Sequence, residues 1–139
     1  MQESAITALK ERLKIEEGFR AKPYRCSAGK LTIGYGRNIQ DVGITKNEAD
    51  VLLDGDVSRA LAACGTLFRN FDALSENRQS VLADMMFNMG AAELARFEKM
   101  RRALAREDFA EAVEQMKNSA WHGQVGDRAK KLVKMMLEG

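Results

Sequence analysis

The stretch IEEGFRAKPYRCSAGKLTIGYGR, residues 15–37, contains the change from a helix to a β-hairpin around which the rest of the chain is organised. Upstream of it, apolar residues recur at helical spacing, which predicts a helix whose last turn holds Glu17, just before Gly18. Pro23 cannot continue a helix interior, and residues 30–36 alternate long and small side chains between glycines, as in a twisted hairpin. Helix end, turn and hairpin can therefore fold their polar side chains towards one cleft.

Three polar side chains of this stretch are candidates for catalysis: Glu17, Cys26 and Thr32. Eight residues separate Glu17 from Cys26, and five separate Cys26 from Thr32. A carboxylate in the last turn of a helix lies near partial negative charge, and Phe19 is an apolar neighbour, so both favour the protonated, uncharged acid. A protonated carboxyl group suits the role of general acid.

This pattern resembles the catalytic signature of the phage-type lysozymes, the endolysin muramidases: Glu, eight residues, Asp or Cys, five residues, Thr. The blocks I-E-E-G, P-Y, T-I-G-Y-G, G-I-T-K-N-E-A, F-N-M-G and G-D-R-A-K are similar to the same family, in the same order and over nearly the whole chain. One such spacing arises easily by chance, whereas several ordered blocks are specific. The alternative is an ordinary helix end followed by a hairpin.

The resemblance implies an α+β, mostly α, lysozyme-like fold with two lobes. An N-terminal helix and a small β-hairpin lobe are expected over about residues 1–44, a long interlobe helix over about 45–65, and a larger helical lobe over about 66–139. The length of 139 residues and the 45% hydrophobic content are consistent with a single domain, 1–139, that buries a core.

The resemblance also implies an activity, hydrolysis of the β-1,4 bond between N-acetylmuramic acid and N-acetylglucosamine in peptidoglycan. Glu17 is expected to protonate the leaving oxygen, while Cys26 and Thr32 hold a water that attacks with inversion. Substrate contacts are implied at Asn88 and Gly90, and a charged partner of the acid at Arg128. No metal and no organic cofactor are indicated, and a monomer is expected.

Two residues differ from the commonest pattern of the family. Arg37 follows G-Y-G where many relatives have His, and that His pairs with an acid matched here by Asp56, so an Arg37–Asp56 pair is expected. Cys26 occupies a position where Asp is usual. Because an ordinary thiol is mostly protonated at neutral pH, Cys26 must act as a thiolate base, as a nucleophile or only by positioning water.

Helix signals continue along the chain. Ser4, Thr45, Ser75 and Asp127 are predicted to cap helices, and Gly65 and Gly90 to end them. Apolar residues at helical spacing predict the buried faces, which are Ile6, Leu9 and Leu13; Leu53, Val57, Ala60, Leu61 and Cys64; Val81, Leu82, Met85, Met86 and Met89; Leu94, Phe97, Met100 and Leu104; Phe109, Ala112, Val113 and Met116; and Ala129, Leu132, Val133 and Met136. Glu107 and Asp108 are expected to begin a helix, where its dipole favours anions.

Several features allow a second interpretation. Trp121 and His122 could form a sugar platform with an acid–base partner, but packing is the favoured role. The lysines of the last helix could disturb an outer membrane, although a docked helix with a solvated face is favoured. Acidic residues interrupt the basic ones throughout, which argues against a nucleic-acid binder.

The cellular setting is predicted from what the sequence lacks. Cys26 and Cys64 are too few for a disulfide framework and are expected to be free thiols. No signal peptide or membrane span is recognisable, so the protein is expected in the host cytoplasm until a pore-forming holin releases it. A virion-associated lysozyme and a catalytically weak peptidoglycan-binding module remain alternatives.

Overall fold

The computed structural model describes all 139 residues, which fall into two compact units, Met1–Asp50 and Val51–Gly139. The N-terminal unit contains helix α1 (Glu3–Glu17), strands β1 (Arg20–Arg25), β2 (Leu31–Gly34) and β3 (Arg37–Asn38), and the first residues of α2 (Lys46–Leu67). The C-terminal unit contains the rest of α2, a short 3-10 helix (Phe71–Ala73) and five further helices. These are α3 (Glu76–Ala95), α4 (Glu98–Ala105), α5 (Phe109–Lys117), α6 (Ala120–Val125) and α7 (Asp127–Glu138). The predicted fold class, α+β and mostly α, is confirmed.

The three strands form one antiparallel sheet in the order β1-β2-β3. Tyr24 pairs with Thr32 across β1 and β2, and Thr32 pairs with Asn38 across β2 and β3. Pro23 lies in β1, an edge strand whose register with β2 shifts between Arg20 and Tyr24, and an edge position is where a residue without an N–H is tolerated. The hairpin predicted over residues 30–36 is thereby confirmed.

Helix α1 differs from its prediction in its cap and its burial. It begins at Glu3 with Gln2 as N-cap and no side-chain capping bond, so Ser4 lies within the helix and does not cap it. No residue of α1 is buried, and Ile6 and Leu13 are 39% and 41% exposed. The predicted inward face is therefore wrong, because no element of its unit packs along α1, which leaves the apolar stripe uncovered.

The C-terminal unit has a continuous apolar core that matches most of the predicted helix faces. Cys64, Leu82, Met85, Leu94, Met100, Met116 and Met136 are among its fully buried side chains. The interpretation of the methionines as core residues is confirmed for Met85 and Met86, and that of Cys64 as a packed thiol is confirmed as well. On α2 the prediction named too many buried residues, since only Ala60 and Cys64 are buried.

The helix ends agree with the predictions in part. Ser75 caps α3 by accepting from the Arg78 N–H at 3.2 Å. Gly90, with φ +83° and ψ 167°, interrupts α3, although helical backbone resumes after it. Gly65 does not end α2, which continues to Leu67. Asp127 is the first residue of α7 and makes no capping bond.

Helix α7 docks on the core as expected. Its predicted face, Ala129, Leu132, Val133 and Met136, is buried, and its lysines are exposed. None of the seven helices combines the length and the apolarity needed to cross a membrane.

Candidate active site

Glu17 is the last residue of α1, as the sequence predicted. Gly18, with φ +70°, ends the helix, and its N–H donates to the Lys14 carbonyl at 3.0 Å. The Glu17 side chain is exposed, and Phe19 keeps 66% of its surface in solvent. The expected apolar shielding of the acid by Phe19 is therefore wrong.

The tip of the β2–β3 hairpin packs against this helix end. The Tyr35 ring lies 5.6 Å from the Phe19 ring in a tilted arrangement, and the Lys14 Nζ atom lies 6.0 Å from the centre of the Tyr35 ring. The Glu17 carboxylate lies against Gly36, where a Cβ atom would come within 2.7 Å of Glu17 Oε2. The hairpin and the acid are thus in direct contact.

Cys26 and Thr32 are brought together by a shared acceptor. The turn after β1 is closed by the Cys26 N–H, which donates to the Lys30 carbonyl at 3.0 Å, and by the Gly29 N–H, which donates to the Cys26 carbonyl at 2.8 Å. The Thr32 hydroxyl also donates to the Lys30 carbonyl, at 2.9 Å. Thr32 is only 3% exposed and is the buried polar residue of the chain. Its hydroxyl orientation is consequently fixed, which suits a group that positions another molecule.

The thiol of Cys26 is half-buried and carries no disulfide. The nearby backbone N–H groups of Lys30 and Ala28 lower the pKa of this thiol because they stabilise the thiolate. Cys64 is also free, and burial raises its pKa to about 11. The expected free thiols are confirmed, and the two have opposite chemical character.

Arg37 does not pair with Asp56, so that prediction is wrong. Its guanidinium forms a two-pronged ion pair with Glu48, at 3.0 Å and 2.6 Å, and donates to the Gly43 carbonyl at 3.1 Å. Asp56 pairs instead with Arg59, one turn along α2. A planar guanidinium matches a carboxylate with two parallel bonds, and Glu48 offers one within the same compact unit.

Glu48 also forms a capping box with Thr45, whose predicted role as a helix cap is confirmed. The Thr45 N–H donates to Glu48 Oε1 at 2.9 Å, and the Glu48 N–H donates to Thr45 Oγ1 at 3.1 Å. The Arg37 guanidinium, and after it the Thr45 N–H, hold the pKa of Glu48 down to about 2. This carboxylate therefore joins the end of the sheet to the start of α2.

The other predicted site residues, Asn88, Gly90 and Arg128, lie in the C-terminal unit. Asn88 Oδ1 accepts from the indole N–H of Trp121 at 3.1 Å, at the edge of an open hollow of about 470 Å³ that Phe97 also lines. Trp121 is 6% exposed, so its interpretation as a packed residue is confirmed. The indole bond fixes the Asn88 amide and directs its Nδ2 hydrogens away from Trp121.

Arg128 is paired with a carboxylate of its own unit. Its Nε donates to Asp84 Oδ1 at 2.8 Å, and its Nη2 lies 2.6 Å from the same oxygen. Nothing in the sequence pattern distinguishes Asp84 as this partner. The contact between Arg128 and Glu17 that the resemblance implied stays a prediction.

Two features of the site were missed at the level of sequence. Gly36 was included only as part of the T-I-G-Y-G block, although two glycines around one aromatic residue indicate a tight tip at which some group approaches closely. The Lys30 carbonyl leaves no signal in the sequence, because main-chain acceptors are common to all residues. No group of three or more His, Cys, Asp or Glu side chains is arranged to hold a metal ion.

Comparison with known proteins identifies the family of the chain. A family model described as phage lysozyme matches residues 14–135. "Probable T4-type lysozyme 2" of Dictyostelium discoideum is 26% identical, over 96% of this chain and 96% of its own. "Endolysin" of Acyrthosiphon pisum secondary endosymbiont phage 1 is 35% identical over 56% of this chain and 54% of its own. "Pre-baseplate central spike protein Gp5" of Enterobacteria phage T4 is 27% identical over 95% of this chain and 28% of its own. The chain belongs to the phage lysozyme family and is a lysozyme, a peptidoglycan hydrolase.

Proposed function

We propose that the enzyme hydrolyses the β-1,4 bond between N-acetylmuramic acid and N-acetylglucosamine with inversion at the anomeric carbon. Glu17 is the general acid, which protonates the leaving glycosidic oxygen as an oxocarbenium-like transition state forms. Cys26 and Thr32 hold the water that attacks the opposite face of the sugar ring. Asn88, Gly90 and Arg128 contact the glycan strand.

One observation carries this proposal. The hairpin whose tip touches the Glu17 carboxylate also bears Thr32, and Thr32 shares the Lys30 carbonyl with Cys26. A single short hairpin thus connects the acid with both groups that handle water. Such a linked arrangement supports a reaction that needs an acid and a positioned water at once.

The test compares two neighbouring carboxylates of α1. Glu17→Gln removes the proton donor and keeps the shape, so the rate of peptidoglycan turbidity loss falls by at least about 100-fold. Glu16→Gln is the matched control, because Glu16 is exposed and pairs only with Arg12, at 3.8 Å, on the same helix. A folded Glu17→Gln protein that lyses cell walls like the wild type would contradict the assignment of the acid.

The stereochemistry has its own measurement. Proton NMR during digestion of a soluble glycan distinguishes the α from the β anomer at the new reducing end. Inversion produces the α anomer first, whereas a double displacement at Cys26 produces the β anomer. An initial β anomer would therefore contradict direct attack by a positioned water and indicate a covalent intermediate at Cys26.

We infer further that the enzyme is an endolysin that stays in the host cytoplasm until a holin opens the membrane. The similarity to a protein named Endolysin supports this role. Expression inside a bacterial host is expected to leave the cells intact, and coexpression of a pore-forming holin is expected to lyse them. Lysis without any pore would contradict the dependence on a holin.

A virion-associated lysozyme is the second candidate, favoured by the similarity to the Gp5 spike protein. Immunoblotting of purified phage particles separates the two roles. The protein is expected in the lysate and not in the particles. Its presence in particles at stoichiometric amounts would favour the virion role instead.

A further inference from the structure

The two glycines at the tip of the β2–β3 hairpin share a positive φ and have different surroundings. Gly34 has φ +69° and Gly36 has φ +70°, so a side chain at either position is forced into the left-handed φ region that side chains rarely adopt. A Cβ atom at Gly34 would have no atom within 4 Å apart from those of its neighbours in the chain. A Cβ atom at Gly36 would lie 2.7 Å from Oε2, 3.0 Å from Cδ and 3.3 Å from Cγ of Glu17.

The group that must yield to a side chain at position 36 is the Glu17 carboxylate. It is the far end of a flexible, exposed side chain, whereas the hairpin backbone is fixed by the pairing of β2 with β3. Rotating a glutamate side chain costs less than moving the backbone of a paired hairpin. An added methyl group therefore displaces the carboxylate and leaves the backbone in place.

We infer that Gly36 is a positioning residue for Glu17, because the missing side chain at this position lets the carboxylate lie against the hairpin that carries Thr32. This inference rests on the proposed function, in which Glu17 is the acid. The contact with Gly36 closes one side of the space open to the carboxylate, so it limits the rotamers that Glu17 can adopt. The hairpin tip then sets the direction from which the acid approaches the glycosidic oxygen.

The consequence concerns the rate of the chemical step. A misplacement of about 1 Å in a reacting group costs on the order of 100-fold in rate. Because proton donation to the leaving oxygen occurs in the transition state, a displaced acid lowers kcat and leaves KM nearly unchanged. A loss of folded enzyme also lowers the apparent kcat at constant KM, so the variants are compared well below their melting temperatures, where each is folded.

The experiment compares Gly36→Ala with Gly34→Ala in the full chain. Both variants are expected to lose similar thermal stability, since both place a Cβ at the same positive φ. On a soluble peptidoglycan fragment, kcat of Gly36→Ala is expected to fall at least about 10-fold below that of Gly34→Ala, with KM within about twofold. Glu17→Gln is measured in parallel.

A second readout does not depend on activity. Carbon-13 NMR of glutamate side chains gives the Glu17 carboxyl resonance, assigned by its loss in Glu17→Gln. Gly36→Ala is expected to shift this resonance, and Gly34→Ala is expected to leave it in place.

Each other outcome overturns a specific statement. Equal kcat values for the two alanine variants, or an unmoved Glu17 resonance in Gly36→Ala, would overturn the role of Gly36. Failure of Gly36→Ala to fold where Gly34→Ala folds would overturn it too, because the backbone and not the carboxylate would then have yielded. An active Glu17→Gln would overturn the proposed function, and the NMR comparison would still decide whether Gly36 places the carboxylate.

Discussion

At the residue scale, Cys26 is the group that most alters the chemistry expected of the site. Neighbouring backbone N–H groups lower its pKa, so the thiolate forms nearer to neutral pH than in an ordinary thiol. We predict that kcat/KM rises with pH as Cys26 loses its proton. Cys26→Asp moves that rise down by several pH units, because an aspartate ionises near pH 4, and Cys26→Ser lowers kcat by about 100-fold or more. The pH profiles of the three proteins check this.

Thiol alkylation provides the control for that prediction. Cys26 is partly accessible, whereas Cys64 is fully buried and its pKa is raised to about 11, so a reagent at neutral pH modifies Cys26 first. Cys64→Ala therefore remains sensitive to the reagent, and Cys26→Asp is protected. A fully active Cys26→Ser enzyme with an unchanged pH profile would mean that position 26 only positions water.

Sequence reasoning at this scale succeeded where spacing carries the information. The end of α1 at Glu17 and the position of Thr32 in a hairpin strand followed from a helix stop and an alternating segment, whereas the burial of Thr32 was not predicted. The partners of Arg37 and Arg128 were not predictable, since a long guanidinium can reach carboxylates on several elements. Their nearest acids, Glu48 and Asp84, are specified only by the packing of each unit.

At the element scale, the connection between α4 and α5 contains a strained residue. Glu107 is the one non-glycine residue with a positive φ, at 58°. Its N–H donates to the Leu104 carbonyl at 3.0 Å, and the Asp108 N–H donates to the Ala103 carbonyl at 2.8 Å. These two bonds form a Schellman motif, in which glycine is the preferred residue. The prediction that Glu107 begins a helix is therefore wrong, because this residue terminates α4. Asp108 does cap α5, in agreement with its prediction.

We predict that Glu107→Gly stabilises the protein. Removing the Cβ relieves the left-handed strain, and the greater freedom of glycine in the unfolded chain offsets part of the gain, so the free energy of unfolding rises by about 0.5–1 kcal/mol. Urea denaturation measures the change. Glu107→Ala is the control, which keeps the Cβ and is expected to give no gain.

The ion pair between Arg37 and Glu48 gives the junction of β3 and α2 a dependence on pH. Since the pKa of Glu48 falls from 4.5 to about 2 on folding, its stabilising contribution is complete above pH 4.5 and is lost as the pH falls towards 2. We predict that Glu48→Gln lowers Tm by about 2 °C at pH 7, a small effect because both side chains are partly exposed.

Calorimetry at several pH values checks this prediction. Glutamine can still accept from the Thr45 N–H, so the variant isolates the charge from the cap. The difference in Tm is expected to shrink between pH 4.5 and pH 2, and to shrink with added salt. A difference that persists at pH 2 would assign the effect to the cap and not to the ion pair.

Helix faces were predicted better than helix ends. A stripe of apolar residues is a repeated signal, and those of α3, α4, α5 and α7 are buried in the core. A helix end depends on one or two residues, and neighbours can override it. Gly65 stays helical because the neighbouring Cys64 is anchored in the core. The helix continues past it, and the Phe68 N–H donates to the Cys64 carbonyl at 2.8 Å.

At the scale of the whole molecule, the apolar core is unevenly distributed along the chain. Every buried apolar residue lies between Ala60 and Met136, whereas Thr32 is the buried residue of the N-terminal unit. Periodicity predicted the helix α1 correctly and its buried face wrongly, because it cannot reveal whether another element covers an apolar stripe. The amount of apolar surface removed from water, and not the quality of the pattern, sets the local stability.

We therefore predict that the N-terminal unit opens more readily than the C-terminal unit. Amides of α1 are expected to exchange with deuterium at least about 100-fold faster than those of α3 and α5, because opening α1 exposes little apolar surface that was buried before. Native-state exchange followed by mass spectrometry on the full-length protein measures this. Within α2, exchange is expected to be faster in the first half than in the second, since the first half lacks buried residues and the second contains Ala60 and Cys64. Equal protection of α1 and α3 would mean that the two units unfold only together, and that burial within each unit does not govern local opening.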